Sequence, residues 1–326
     1  MTAKPHVCIV SPALAEANNG NWHTASRWGR FLAGIAQVRI VKHWDGMPAD
    51  ALIALHARRS ADSIARFRSA NAQAPLALVM TGTDLYRDLD TDLDAQHAVE
   101  CASHIVVLQD EGLHALPTAA RARARSIVQS ASRLVRRDAA SGYVGLVAVG
   151  HLRDEKDPLT LMAAARRLPR ATPIRIHHVG AALDPALGAE ARRTMQACPA
   201  YRWLGGLDAR AARRWIARSR ALVHMSRMEG GANVVIEAVR SQVPVLASRI
   251  DGNVGLLGNG YGGYFPVGDA AALAALMQRF AADAPFARGL AAQCREREPR
   301  FAPAEEARAV RALLIEMLGG AGSARG

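Results

Sequence analysis

The chain has 326 residues, half of them apolar, which is length and apolar content enough for two domains with sizeable cores. Its formal net charge of +12 rests on 38 Arg and only three Lys, dispersed through helical stretches beside alanine; this suits acidic small substrates, and without a nucleic-acid motif no nucleic-acid partner is expected. No apolar run approaches the ~18 residues of a membrane span, so no stable membrane association is expected.

The N-terminus shows no signal-peptide pattern, and residues 1–5 lead directly into an apolar strand at 7–10, so a cytoplasmic location is expected. After Ser11-Pro12 comes a loop with Asn18, Asn19, Gly20, Asn21, Trp22, His23 and Thr24, dense in amide, aromatic and imidazole groups, and then a helix over 22–36. Apolar runs at 38–41 and 52–55 predict two more strands, the second followed by His56-Ala57-Arg58-Arg59-Ser60 and a helix over 61–70. A strand at 76–80 ends in Thr81-Gly82-Thr83-Asp84-Leu85-Tyr86, and strands at 105–108 and 126–128 close the first half. The polar stretch 130–142, which follows Arg121, Arg123 and Arg125 and contains Arg133, Arg136 and Arg137, reads as the domain boundary.

The second half repeats the alternation, with strands at 146–149, 174–179, 202–204, 221–225, 243–247 and 264–267. Short apolar runs alternating with helices argue for parallel sheets covered by helices. Gly150-His151-Leu152-Arg153-Asp154-Glu155-Lys156-Asp157-Pro158 links the first of these strands to a helix over 159–168. A last helix is expected over 302–318, ahead of a Gly/Ala/Ser-rich tail that reads as disordered. Cys8, Cys101, Cys198 and Cys294 are scattered with no Cys-x2-Cys pair, which argues against a zinc site or a disulfide framework. No G-x-G-x-x-G follows the first strand, so a dinucleotide-dependent dehydrogenase is disfavoured.

The most informative stretch follows the apolar run 221–225: Glu229, the glycines Gly230 and Gly231, then Ala232, Asn233 and Val234 opening a helix that carries Glu237. A glycine turn that feeds a helix N-terminus directs free N–H groups and the helix dipole at an anion. Glu237, further along that helix, is placed to accept hydrogen bonds from hydroxyls of the same ligand. Phosphate at the helix tip with ribose beside it describes a nucleotide-sugar site.

The Glu-x7-Glu spacing, followed by Pro244-Val245-Leu246-Ala247-Ser248, resembles the donor-site signature of family 4 of the GT-B glycosyltransferases. The resemblance implies an α/β chain of GT-B fold, with two doubly wound Rossmann-like domains facing a cleft. These would be an acceptor-side domain at 1–138 and a nucleotide-sugar domain at 139–300. A helix at 301–318 that crosses back and a disordered tail at 319–326 would complete the chain. It also implies that Lys156 holds the donor diphosphate, helped by His151, which stands where the family has Arg, or by Arg153, and that Gly205 lies at the nucleobase loop. Gly20 would lie over the diphosphate. No metal or other cofactor is expected, because Lys156 and the helix tip supply the neutralising charge.

Four strings taken together look like the selenosugar synthases of selenoneine biosynthesis: Asn18 to Ala25, His56 to Ser60, Thr81 to Tyr86 and Gly150 to Pro158. This implies transfer of a sugar from UDP-N-acetylglucosamine or UDP-glucose to selenophosphate. The acceptor would be bound by Asn19, Asn21, His23, Thr24, His56, Arg58, Arg59, Gly82 and Thr83. His23, Asn21, Asp84, Lys156 and Glu229 would serve the reaction itself. The alternative is an ordinary family 4 transferase with an alcohol acceptor in glycan or lipid assembly, whose helix at 22–36, with Arg27, Arg30 and Phe31, would offer a basic-apolar face to a membrane surface.

Overall fold

The computed structural model describes residues 3–15, 20–135 and 142–322, the side chains of 320–322 excepted. The chain divides into two compact units, Met1–Gln129 with Pro303–Gly326, and Ser130–Ala302. Asn19, Arg136, Arg137 and the expected boundary at 138/139 lie outside the described residues.

The first unit is built on a six-stranded parallel sheet: β1 (His6–Val10), β2 (Gln37–Val41), β3 (Ala51–Leu55), β4 (Leu76–Met80), β5 (His104–Val107) and β6 (Ala124–Ser126), in the order β2-β1-β3-β4-β5-β6. β3 and β4 are buried along their whole length, as strands covered on both faces must be. Alternate residues feed two separate cores. Cys8, Val10, Leu52 and Leu78 pack with Ile64 and Phe67, whereas Val7, Ile9, Ile53 and Val79 pack with Trp28, Leu32, Val310 and Leu314. The last four come from the helices Gly20–Leu32 and Pro303–Gly322. These two helices are joined by a buried polar clamp: Glu306 accepts from Trp28 Nε1 at 2.8 Å and from Arg27 Nε at 2.6 Å.

That clamp corrects one expectation. Arg27 is paired and Phe31 packs against the core, so of the basic-apolar face expected on this helix only Arg30 is exposed. The helix also begins at Gly20, so Gly20, Asn21, His23 and Thr24 form its opening turns instead of a loop. The last strand sits two residues earlier than expected, ending at Ser126. The C-terminal helix continues to Gly322, past the expected stop at 318.

The second unit has its own six-stranded parallel sheet: β7 (Val144–Val149), β8 (Ile174–Val179), β9 (Tyr201–Trp203), β10 (Ala221–His224), β11 (Val245–Ser248) and β12 (Tyr264–Phe265), in the order β12-β11-β10-β7-β8-β9. β12 stops at Phe265 because Pro266 has no N–H to give the ladder. Each sheet reverses its strand order once, between β1 and β3 in the first unit and between β7 and β10 in the second. In open parallel sheets the crevice beyond the strand C-termini at such a reversal is where ligands bind. This directs attention to the loops after β7 and β10, and after β1 and β3. Among the described residues no helix is long and apolar enough to cross a membrane.

Candidate functional site

In the second unit the two loops at the reversal are tied together. After β7 the chain passes Gly150 and makes a short helical turn, Asp154–Lys156. Asp157 then takes a left-handed conformation, φ 46°, and caps the helix Pro158–Arg167, its Oδ2 accepting from Thr160 Oγ1 at 2.7 Å. From the loop after β10, the Arg227 N–H donates to the Glu155 carbonyl at 2.9 Å, and its guanidinium lies 3.4 Å from Asp157 Oδ1. Ser248 Oγ bonds the Ser226 carbonyl at 2.6 Å from the neighbouring strand. Two glycines permit close approach here, since a Cβ on Gly180 would collide with the Gly150 carbonyl and one on Gly252 with the Glu229 carbonyl.

These constraints place Lys156 against Glu229. Lys156 Nζ donates to Glu229 Oε1, and the two side chains are 20% and 12% exposed. Ser226 Oγ donates to the same oxygen at 2.6 Å, and His224 Nε2 lies 3.3 Å from it. Burial opposes the charged carboxylate, but Lys156 and His224 outweigh it and hold Glu229 well below the usual carboxylate range. The result is an ionised pair prepared at a reversal point, with a cation that an incoming anion can take over.

The helix Asn233–Arg240 begins beside this pair. Its N-cap, Ala232, has no side chain able to cap it, so its first N–H groups are left for solvent or a ligand. Glu237 Oε1 lies 3.5 Å from Arg213 Nε of the helix Ala209–Arg218. Glu237 is thus a paired carboxylate, not the bare acceptor that the spacing suggested. Gly205 takes φ +73° at the turn after β9, and its carbonyl accepts from the Gly180 N–H at 2.8 Å.

His151 and Arg153 differ in what they offer. The Ala181 N–H donates to His151 Nδ1 at 3.2 Å, which assigns the ring proton to Nε2. Burial, then Arg153 and Lys156, lower its pKa below that of an ordinary histidine. His151 is therefore a neutral N–H donor beside Lys156. Arg153 lies 3.8 Å from Glu155.

In the first unit the structure redistributes the expected roles. Asp84 is fully buried, and its carboxylate accepts from the backbone N–H groups of Gly82 (2.8 Å), Thr81 (2.9 Å) and Ala57 (3.0 Å). It joins two loops and is not presented to an acceptor. Thr24 is likewise enclosed: its hydroxyl donates to the Gly20 carbonyl and accepts from Gln129 Nε2. Arg58 pairs with Asp88 at 3.1 Å and approaches Asp92 at 3.9 Å, so its charge is already committed. His56 is 3% exposed, at φ 70°, and its Nε2 meets Thr83 Oγ1 at 3.1 Å. Arg59 is exposed and has no ion pair among the described residues. Burial, then Arg27, lowers the His23 pKa, leaving a neutral ring. The structure thus brings Lys156 and Glu229 into contact within the second unit, whereas Gly20, also expected on the donor side, belongs to the first. Of the expected acceptor set, Thr24, Asp84 and Arg58 are committed to partners within the unit, and Arg59 is exposed. His224, Ser226 and Arg213 were not singled out from sequence; the only signal for His224 was a histidine closing an apolar strand.

Residues 144–283 match the family described as glycosyl transferases group 1. No curated protein matches the chain by sequence. Among solved structures, a sucrose-phosphate synthase from Thermosynechococcus elongatus superimposes with a TM-score of 0.78 at 18% identity, covering 98% of this chain and 100% of that one. The Anabaena protein Alr3699/HepE, solved with UDP-glucose, gives 0.76 at 14% identity over 96% of this chain and 100% of that chain. A glycosyltransferase from Rickettsia africae gives 0.74 at 13% identity over 97% and 99%. The fold is that of the GT-B glycosyltransferases, two parallel-sheet α/β units.

Proposed function

From the group 1 glycosyl transferase match of residues 144–283, we propose that the chain is a glycosyltransferase that uses a UDP-sugar. The observation that carries this is the ionised Lys156–Glu229 pair at the strand reversal, beside an uncapped helix N-terminus. Lys156 and the N–H groups at that helix would stabilise charge on the departing diphosphate, usually the largest contribution in such chemistry. His151 would donate from Nε2 to a phosphate oxygen. Glu237 would accept from the ribose and Glu229 from the sugar. UDP and UDP-glucose complexes of the Anabaena relative of the same fold support a uridine nucleotide as the donor.

The finer reading is a selenosugar synthase. Selenium of selenophosphate attacks the anomeric carbon, forming C–Se as the C–O bond to UDP breaks and its electron pair leaves on UDP. Water then cleaves P–Se, releasing phosphate and the 1-seleno-sugar. The Asn21, His23 and Arg59 groups suit a small anion. The commitment of Arg58 to Asp88 and Asp92 favours the second reading, an alcohol acceptor in glycan or lipid assembly, because it removes one cation from the acceptor side. Incubating the protein with UDP-N-acetylglucosamine or UDP-glucose and selenophosphate, and analysing the products by mass spectrometry, separates the two. A selenosugar supports the first; consumption of donor only with an alcohol supports the second.

Two expectations follow for the donor side. Glu237→Ala is expected to weaken UDP binding by about 1.5–3 kcal/mol, the worth of a hydrogen bond to a charged acceptor. Unchanged UDP affinity by calorimetry would leave Glu237 as merely the partner of Arg213. The proposed reaction also needs no metal, since Lys156 and the helix tip do the neutralising. Turnover is expected to survive EDTA, and a loss restored by Mg2+ would refute this.

A further inference from the structure

We propose that His224 is the positioning residue of Glu229, a role that rests on the glycosyltransferase reading above. His224 closes the otherwise apolar β10 and is 3% exposed. A buried imidazole costs free energy unless its nitrogens are bonded, and His224 Nδ1 has no partner among the described residues. An aliphatic residue would suit the strand better, so the histidine calls for another explanation. Its Nε2 provides one, lying 3.2 Å from Ser226 Oγ and 3.3 Å from Glu229 Oε1.

The proton inventory fixes the direction of these bonds. Ser226 has one hydroxyl proton, and it goes to Glu229 Oε1. The hydroxyl oxygen must therefore accept from the imidazole, which places a proton on His224 Nε2. That proton is spent on Ser226, so the donors to Oε1 are Ser226 and Lys156; His224 lies 3.3 Å from the same oxygen and steadies it through the serine, and none of the three engages Oε2. A carboxylate gripped through one oxygen by groups anchored on a strand has its other oxygen fixed in place for a ligand hydroxyl.

Lys156 is not able to do this by itself. Its chain is flexible, and in the proposed reaction its ammonium turns to the diphosphate. When it does, the Ser226 hydroxyl, held in direction by His224, is the donor that remains to keep Glu229 oriented. His224 thus acts through Glu229 and matters most when Lys156 has been drawn away.

The test compares His224→Leu with His224→Gln. Leucine fills the space without a donor; glutamine places an amide N–H near the site of Nε2. The Leu variant is expected to melt no lower than the parent, because a buried nitrogen without a partner has been removed. UDP affinity by calorimetry should be unchanged, while kcat for the UDP-sugar falls about 10- to 100-fold, the worth of the Ser226 hydrogen bond to the charged Glu229 once His224 no longer directs it. The Gln variant should recover most of that turnover. In crystal structures the Glu229 carboxylate should leave its place in the Leu variant and keep it in the Gln variant. A Leu variant with parental kcat, equal impairment of both variants, or an unmoved Glu229 in the Leu variant would each overturn the proposal. If the parent neither binds UDP nor consumes a UDP-sugar, the glycosyltransferase reading fails instead, and the position of Glu229 in the variants still decides the role of His224.

Discussion

Lys156→Ala is expected to lower turnover of the UDP-sugar by about 10²–10³-fold, the range seen when a single charge-stabilising donor is removed from an active site. UDP affinity should change far less. Lys156 is bound to Glu229, so a phosphate gains its charge only by taking it from a carboxylate. Ground-state binding is discounted by that exchange. In the transition state the diphosphate carries more charge, and the exchange becomes more favourable. The interaction is thus stronger in the transition state than in the bound substrate, which is the condition for raising kcat rather than lowering KM. A steady-state comparison of the parent and Lys156→Ala checks this, with UDP binding measured separately. A rise in KM with kcat intact would mean that Lys156 only holds the donor. Chain Arg in place of Lys is not an equivalent control, since a planar fork would meet Glu229 differently from a compact ammonium.

The local pattern around Glu229 was more legible in the sequence than the partnerships of the first-unit residues, and the reason is physical. Gly230, Gly231 and the helix after them form one continuous local pattern, strand, glycine turn, helix N-terminus, so their chemistry is visible at short range. The strands themselves were legible because fully apolar runs such as β3 and β4 have few alternatives to a sheet covered on both faces. Partnership was the hidden quantity. Residue type says what Asp84, Arg58 and Thr24 are able to bind, but not that a segment distant in sequence has already bound them. Thr24 is met by Gln129, and Asp84 by the N–H of Ala57. The same blindness applied to the pair that matters most: Lys156 and Glu229 were each singled out, but 73 residues of chain separate them and nothing local reveals that they touch. His224 escaped notice because a histidine at the end of an apolar strand looks like an ordinary core residue until the geometry of its nitrogens is known.

Asp84→Asn is expected to destabilise the first unit by about 3 kcal/mol while leaving UDP binding intact. The carboxylate is fully buried and both of its oxygens accept backbone N–H groups, Oδ1 from Thr81 and Gly82 and Oδ2 from Ala57. An amide in its place turns one oxygen into an NH2 group that faces an N–H donor, so one bond is lost and a buried donor is left unsatisfied. Each such defect costs about 1–3 kcal/mol, with charged acceptors at the upper end. The Ala57 bond also steadies a strained start to the helix Ala57–Ala70, because the residue before it, His56, stands at φ 70°, where a side-chain-bearing residue costs about 1–3 kcal/mol. Loosening the bond gives that strain a route to relax, so the damage should appear locally. Hydrogen exchange should accelerate over 57–70 and 81–88, and the first unit should unfold at lower urea. The UDP-binding groups proposed above all belong to the second unit, so calorimetry with UDP should match the parent. Unchanged stability together with lost turnover would point the other way, returning Asp84 to the task of orienting the acceptor.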